Sequence, residues 1–196
     1  MQYYHGSPIA GIKTLTPTPS KVLYLTNNRA YALFYIRDLD VNWGTCGVDA
    51  DGVVAYDERF PGQLRALYAG RCGWLYACEE DGSFVPGNSP WIVISNLVVP
   101  VASAVFIPDV YGEILREVAA GTVRVKRYED KTRAETQDIF EMMVHYIFKN
   151  RLLGAQTPKA RFIEQNFPEA WRYAAQNEAR AAEYIAQWEK EHLSAK

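Results

Sequence analysis

Tyr3-Tyr4-His5-Gly6-Ser7 is the densest run of chemically capable residues in this 196-residue chain. An imidazole offers a hydrogen bond to a sugar hydroxyl, a glycine lets a planar group approach bare backbone, and a serine adds a short donor. Taken alone, His5 also fits a plainer role as a surface or locally satisfied histidine, since histidine is commonly intermediate in exposure. Tyr24 and Tyr35 form a second group, eleven residues apart. The first falls on an expected strand and the second on the helix after it, a spacing that lets two phenol rings converge over one pocket. Such rings clamp a flat aromatic such as nicotinamide. With 13 tyrosines in the chain, pairs of this kind also arise in cores and rims.

The two groups in succession, YYHGS…L…P…VLYLT…A…Y, resemble the opening of the ADP-ribosyltransferase superfamily. The likeness is to the branch with an H-Y-E type triad, which includes poly(ADP-ribose) polymerase catalytic domains and the rifamycin-modifying transferases. It covers roughly residues 1–107. The resemblance implies NAD as a substrate. His5 would bond the adenosine-side ribose, the Gly6 backbone would bind the carboxamide beside Ser7, and Tyr24 and Tyr35 would bracket the nicotinamide ring. Residues 73–79 look like the middle strand of the same fold. In the family a Glu or Asp near the start of a later strand completes the triad. The matching place here falls at Ser89, Pro90 or Trp91, none of them acidic. Nearby acids are Glu79, Glu80, Asp109 and Glu113. Glu113 is kept as the candidate catalytic acid beside His5 and Tyr24, although Asp109 and Glu113 are more simply the favourable acids of a helix's first turn.

Other chemistries lack their signatures. No Gly-x-Ser-x-Gly, Walker-type phosphate loop or Rossmann glycine fingerprint occurs. His5, His145 and His192 have no metal-ligand spacing, and His145 falls in an apolar helix as a core-edge residue. Cys46, Cys72 and Cys78 are odd in number and show no Cys-x-x-Cys pattern, so reduced thiols in a cytoplasmic protein are expected. Residues 1–20 carry no cationic segment before an apolar run, and no secretory signal is expected. The apolar stretch 91–108 contains Ser95, Asn96, Pro100 and Ser103 and reads as two buried strands joined by a turn, not as a membrane span. With 21 Lys and Arg against 23 Asp and Glu, the net charge near −2 gives no general field for nucleic acid. The local run of Arg124, Lys126, Arg127, Lys131 and Arg133 reads as a solvated connection.

The elements expected to position these residues follow from period and punctuation. Residues 1–5 form a short strand ending in a tight turn at Gly6, and 22–26 form a second strand by their β-branched and aromatic content. Asn27 and Asn28 are candidate caps for a helix over 29–37. Asp51-Gly52 marks a hairpin between 43–48 and 53–56. A helix over 62–69, strands at 73–79, 91–94 and 98–107, and a helix from Asp109 to Ala120 stopped by Gly121 come next, and residues 122–128 look extended. Thr132-x-x-Glu135 is a capping box opening a helix to about residue 150, with Ile139, Met143, Tyr146 and Ile147 on one face. Thr157-Pro158 starts another helix. Pro168 starts the last, whose stripe is Trp171, Ala174, Ala181, Ile185 and Trp188.

Strands dominate before residue 130 and helices after it, so the expected class is α+β. The resemblance refines this to an ADP-ribosyltransferase-like split β-sheet core at residues 1–128. Residues 129–196 are a helical extension expected to pack on it. The implied function is binding NAD and transferring ADP-ribose to an acceptor the sequence does not identify, with release of nicotinamide. A catalytically silent nucleotide-binding relative is one alternative. An interaction module working through the C-terminal helices is the other, and an exposed apolar stripe would favour it.

Overall fold

A computed structural model describes residues 1–17, 22–37 and 46–193. Of these, the residues up to Arg127 form one compact unit and those from Tyr128 onward a second.

The first unit holds β1 (Gln2–Ser7), β2 (Thr14–Leu15), β3 (Leu23–Thr26), α1 (Arg29–Leu33), β4 (Cys46–Val48), β5 (Val54–Asp57), α2 (Gln63–Tyr68), β6 (Gly73–Glu79), β7 (Val85–Pro86), β8 (Ile92–Ser95), β9 (Val99–Pro100), β10 (Ser103–Ile107), α3 (Val110–Ala119) and β11 (Val123–Lys126). Six strands make an antiparallel sheet in the order β10-β6-β1-β3-β8-β7. A smaller sheet runs β11-β5-β4, with β11 parallel to β5 and β4 antiparallel to it, and β2 pairs with β9. The molecule is thus mixed α+β with mostly antiparallel pairing.

Alternation along the strands gives the large sheet two covered faces. Tyr3, Leu23, Leu25 and Cys78 point into one apolar cluster with Leu15 of β2 and Val99 of β9. On the opposite face, α1 and the turn after it lie so close to the sheet that side chains are excluded. A Cβ on Gly6 would come within 2.0 Å of the Ala32 carbonyl oxygen, and one on Gly73 within 2.2 Å of Ile36 Cγ2. Beneath that turn, Phe34 stacks on Tyr56 at 5.2 Å and meets Tyr68 edge-on at 5.6 Å, while the Tyr68 hydroxyl donates to the Phe34 carbonyl. These contacts anchor the backbone that carries Tyr35.

Several elements differ from expectation. Strand β1 continues through Gly6 and Ser7, because β6 pairs with both. Helix α1 is capped by the Asn28 side chain but ends at Leu33, and Tyr35 lies in a tighter turn whose amides bond three residues back. Of the hairpin arm expected at 43–48, residues 43–45 lie outside the described residues. The stretch 91–108 is not two buried strands: after β8 come the short β9 and then β10, an edge strand paired on one side, where Val105 and Phe106 are exposed.

The second unit holds α4 (Arg133–Lys149), α5 (Pro158–Asn166), α6 (Pro168–Gln176) and α7 (Ala181–Leu193). The Thr132 capping box is formed, and Ile139, Met143 and Ile147 are buried along α4. The single helix expected from Pro168 is two. Asn177 ends α6, its side-chain amide donating to the Tyr173 carbonyl, and a 3₁₀ turn intervenes before α7. Of the stripe residues Ala174 is buried and Trp171, Ala181, Ile185 and Trp188 are half-buried, so the stripe is no exposed apolar band. Among the described residues no helix is long and apolar enough to cross a membrane.

Candidate functional site

β1 makes six register pairs with β6, from Gln2↔Glu79 to Ser7↔Trp74, but one with β3, Tyr4↔Thr26. Beyond that pair the two strands part. The gap opens a pocket of about 610 Å³ lined by His5, Gly6, Ser7, Tyr24 and Tyr35 together. His5 leaves β1 on the face shared with Tyr3, whereas Gly6 faces α1; the parting of the strands lets both reach one space. Tyr31, Ile9, Ile12, Leu15 and Ile92 supply further wall.

The His5 Nδ1 lies 3.3 Å from the Tyr24 carbonyl oxygen. A carbonyl only accepts, so Nδ1 carries the proton in this contact and Nε2 remains an acceptor. Burial holds the imidazole below its ordinary value, and the bond to Tyr24 opposes it in part. The ring is therefore neutral at pH 7, suited to receiving a hydroxyl proton rather than pairing with an anion. Gly6 serves two ends at once. Its missing Cβ admits Ala32 on one side, and its backbone borders the pocket on the other.

Tyr24 is 53% exposed and makes no ring contact among the described residues, so its face is free for a ligand. Tyr35 is braced. Its hydroxyl donates to that of Tyr31 at 3.0 Å, the rings meet edge-on at 5.4 Å, and Tyr31 donates on to the Cys46 carbonyl. Burial keeps the Tyr31 phenol protonated far above its ordinary value. Tyr76, paired with His5 across β1 and β6, holds the loop that closes the pocket. Its hydroxyl donates to the Ile9 carbonyl at 2.6 Å and accepts from the Ile12 amide.

Glu113 stands elsewhere. It is not among the residues lining this pocket; one carboxylate oxygen accepts from Arg29 at 2.9 Å and the other from Arg116. The bonds from Arg116 and then Arg29 hold its carboxyl below the ordinary range. Asp109 caps α3 through the Gly112 amide. Where the resemblance places a triad acid, the Trp91 carbonyl accepts from the Thr26 hydroxyl and the indole donates to the Asp49 carbonyl. No carboxylate lines the pocket among the described residues.

Comparison of the chain with protein-family models, with curated proteins and with solved structures finds no match. The site therefore rests on its own geometry. Two of its residues, Tyr31 and Tyr76, escaped sequence reasoning. Tyr31 lies one helical turn before Tyr35, the spacing at which side chains meet, and could have been found. Nothing local marks Tyr76, whose role depends on register. The basic run is also less open than its sequence suggests: Arg124 pairs with Asp49 at 3.0 Å and Arg127 with the fully buried Glu58 at 3.2 Å.

Proposed function

We propose that the first unit binds NAD in the gap between β1 and β3 and transfers ADP-ribose from it to an acceptor, releasing nicotinamide. The supporting observation is the convergence of His5, Gly6, Ser7, Tyr24 and Tyr35 on one pocket, from two strands and the turn after a helix. In this reading the Tyr24 face and the Tyr35 edge hold the nicotinamide ring, the Gly6 backbone meets its carboxamide, and His5 Nε2 accepts from a ribose hydroxyl. A neutral, largely apolar wall suits a neutral amide leaving group. Catalysis rests on positioning and on shielding the developing cation from water, with no covalent intermediate on the protein.

The lack of a lining carboxylate among the described residues favours a second reading, a relative that binds the dinucleotide without turning it over. Thermal shift with NAD, ADP-ribose and nicotinamide, followed by mass analysis for free nicotinamide, separates the two. Either reading expects NAD to stabilise the protein, and expects His5→Ala and Tyr24→Ala each to weaken binding by roughly one to two decades. Release of nicotinamide supports the transferase. Folded protein that NAD does not stabilise sinks both.

A further inference from the structure

The C-terminal helices enclose a second pocket of about 400 Å³, walled within the second unit by α4, α6 and α7 and the turn between the last two. Its rings are Phe140, Phe148, Tyr173, Tyr184 and Trp188. Phe140 meets Tyr173 at 5.5 Å and 73°, and Tyr173 lies 6.3 Å from Tyr184 at 60°. Phe148 meets Tyr184 edge-on at 5.6 Å, so the rings pack at steep angles, and Tyr173 stays exposed beside them. Its rim carries Glu141, Glu183, Glu191 and Arg180.

The charges at this rim do not cancel. Glu183 is paired with Arg180 at 3.1 Å. Glu141 and Glu191 accept only from the neutral amides of Gln137 and Gln187, at 2.7 and 3.1 Å, and no described cation pairs with either. Their field is felt inside the pocket. Burial first, then Glu141, Tyr173 and Glu191, push the Tyr184 phenol up to about 12. The carboxylates do not gather at one point, and among the described residues no group of side chains is arranged to hold a metal ion. A spread negative rim over tilted aromatic faces suits a cation whose charge is itself spread over several atoms, since ring quadrupoles attract such ions most when water is displaced.

We infer that the second unit binds a small organic ammonium ion, of the quaternary or alkylated kind, in the aromatic pocket between α4, α6 and α7. The cation rests against the faces of Tyr173 and Tyr184, and the Glu141 and Glu191 carboxylates balance its charge from the rim. This site shares no residue with the pocket at β1 and β3, and it stands whether or not that pocket takes NAD.

Calorimetric titration of the full chain with choline tests the inference, against its uncharged isostere in which carbon replaces nitrogen and against sodium chloride at equal ionic strength. Choline is expected to saturate a single site and to bind at least about tenfold more tightly than the isostere. Glu141→Gln combined with Glu191→Gln should weaken choline about tenfold with the circular dichroism spectrum unchanged. Should that double variant fail to fold, Tyr173→Leu, which keeps apolar bulk but removes the ring, carries the test with the same expected loss. Equal affinity for choline and its isostere would overturn the proposal. So would unchanged choline affinity in the folded variants, or heats no different from those of the salt.

Discussion

The pocket between β1 and β3 has no charged side chain among its described lining residues, whereas the one among α4, α6 and α7 has four. The contrast follows from how each wall is made. In the sheet unit, residues far apart in sequence meet through register: His5 faces Tyr76 across β1 and β6, and Tyr24 faces Ile94 across β3 and β8. Charged groups in such a wall would lie between strands with little water to solvate them. In the helical unit the wall comes from successive helical turns, so glutamates at the rim keep their water while rings such as Tyr184 and Trp188 are half-buried. As proposed, one pocket would recognise shape and hydrogen bonds, the other field and aromatic faces.

If the sheet pocket depends on close backbone approach, the largest effect belongs to Gly6→Ala. The added methyl would meet the Ala32 carbonyl at 2.0 Å, a backbone atom that cannot swing aside. A loss of about 3 kcal/mol in urea unfolding is expected, as for severe overpacking, together with loss of NAD stabilisation. Wild-type stability in the Gly6→Ala variant would show that α1 is free to move. Next comes Glu58→Gln. Glu58 is fully buried, accepting from the Leu64 amide at 2.9 Å and from Arg127 at 3.2 Å. Removing its charge should cost about 2 kcal/mol, reduced because Arg127 is itself partly exposed and recovers some hydration. A neutral outcome would mean that this ion pair contributes little to the sheet unit.

The same contrast governs what could be read from the chain. Thr132 and Glu135, Thr157 and Pro158, Asp109 and Gly121 each sit at or beside the helix boundary they signalled, because capping is settled within four residues. The site residues His5, Gly6, Tyr24 and Tyr35 were legible as a set through resemblance. Their geometry was not. Nothing in YYHGS says that β1 continues past Gly6, and nothing around Tyr35 says that α1 ends at Leu33, since both depend on contacts with β6, Tyr68 and Phe34. The exposure of β10 was missed for a related reason. Val105 and Phe106 have the composition of a buried strand, and only its edge position in the sheet exposes them.

Local signals in the helical unit should also give local effects. Thr132→Ala removes the hydroxyl that accepts from the Glu135 amide and donates to the Glu135 carboxylate, and leaves the bond that the residue 132 amide donates to that carboxylate. The expected cost is about 1 kcal/mol, typical of a lost N-cap. Amide exchange should quicken in the first turn of α4 and stay unchanged in β1, β3 and β6. Exchange that quickens equally in those strands would show that the cap's effect is not local.

The smallest effect expected is a pH dependence carried by the helical unit. His145 is buried on α4 and stacks on Trp188 of α7 at 4.0 Å and 15°, and Trp188 stacks in turn on His192 at 4.3 Å. Burial lowers the His145 value; the Glu189 carboxylate, 3.5 Å away, raises it in part, and Lys149 and His192 add to the lowering. The folded state therefore binds this proton less readily than the unfolded chain. Stability rises with pH wherever the unfolded state holds more protons. The contribution is thus fully present above the unfolded histidine value of about 6.5 and declines as pH falls through the lowered folded value. It should be small, because the Glu189 carboxylate offsets part of the burial. The unfolding midpoint of wild type, compared with His145→Gln between neutral and mildly acidic pH, isolates it: the variant should lose less stability on acidification. Parallel curves for the two proteins would mean that His145 does not titrate in this window.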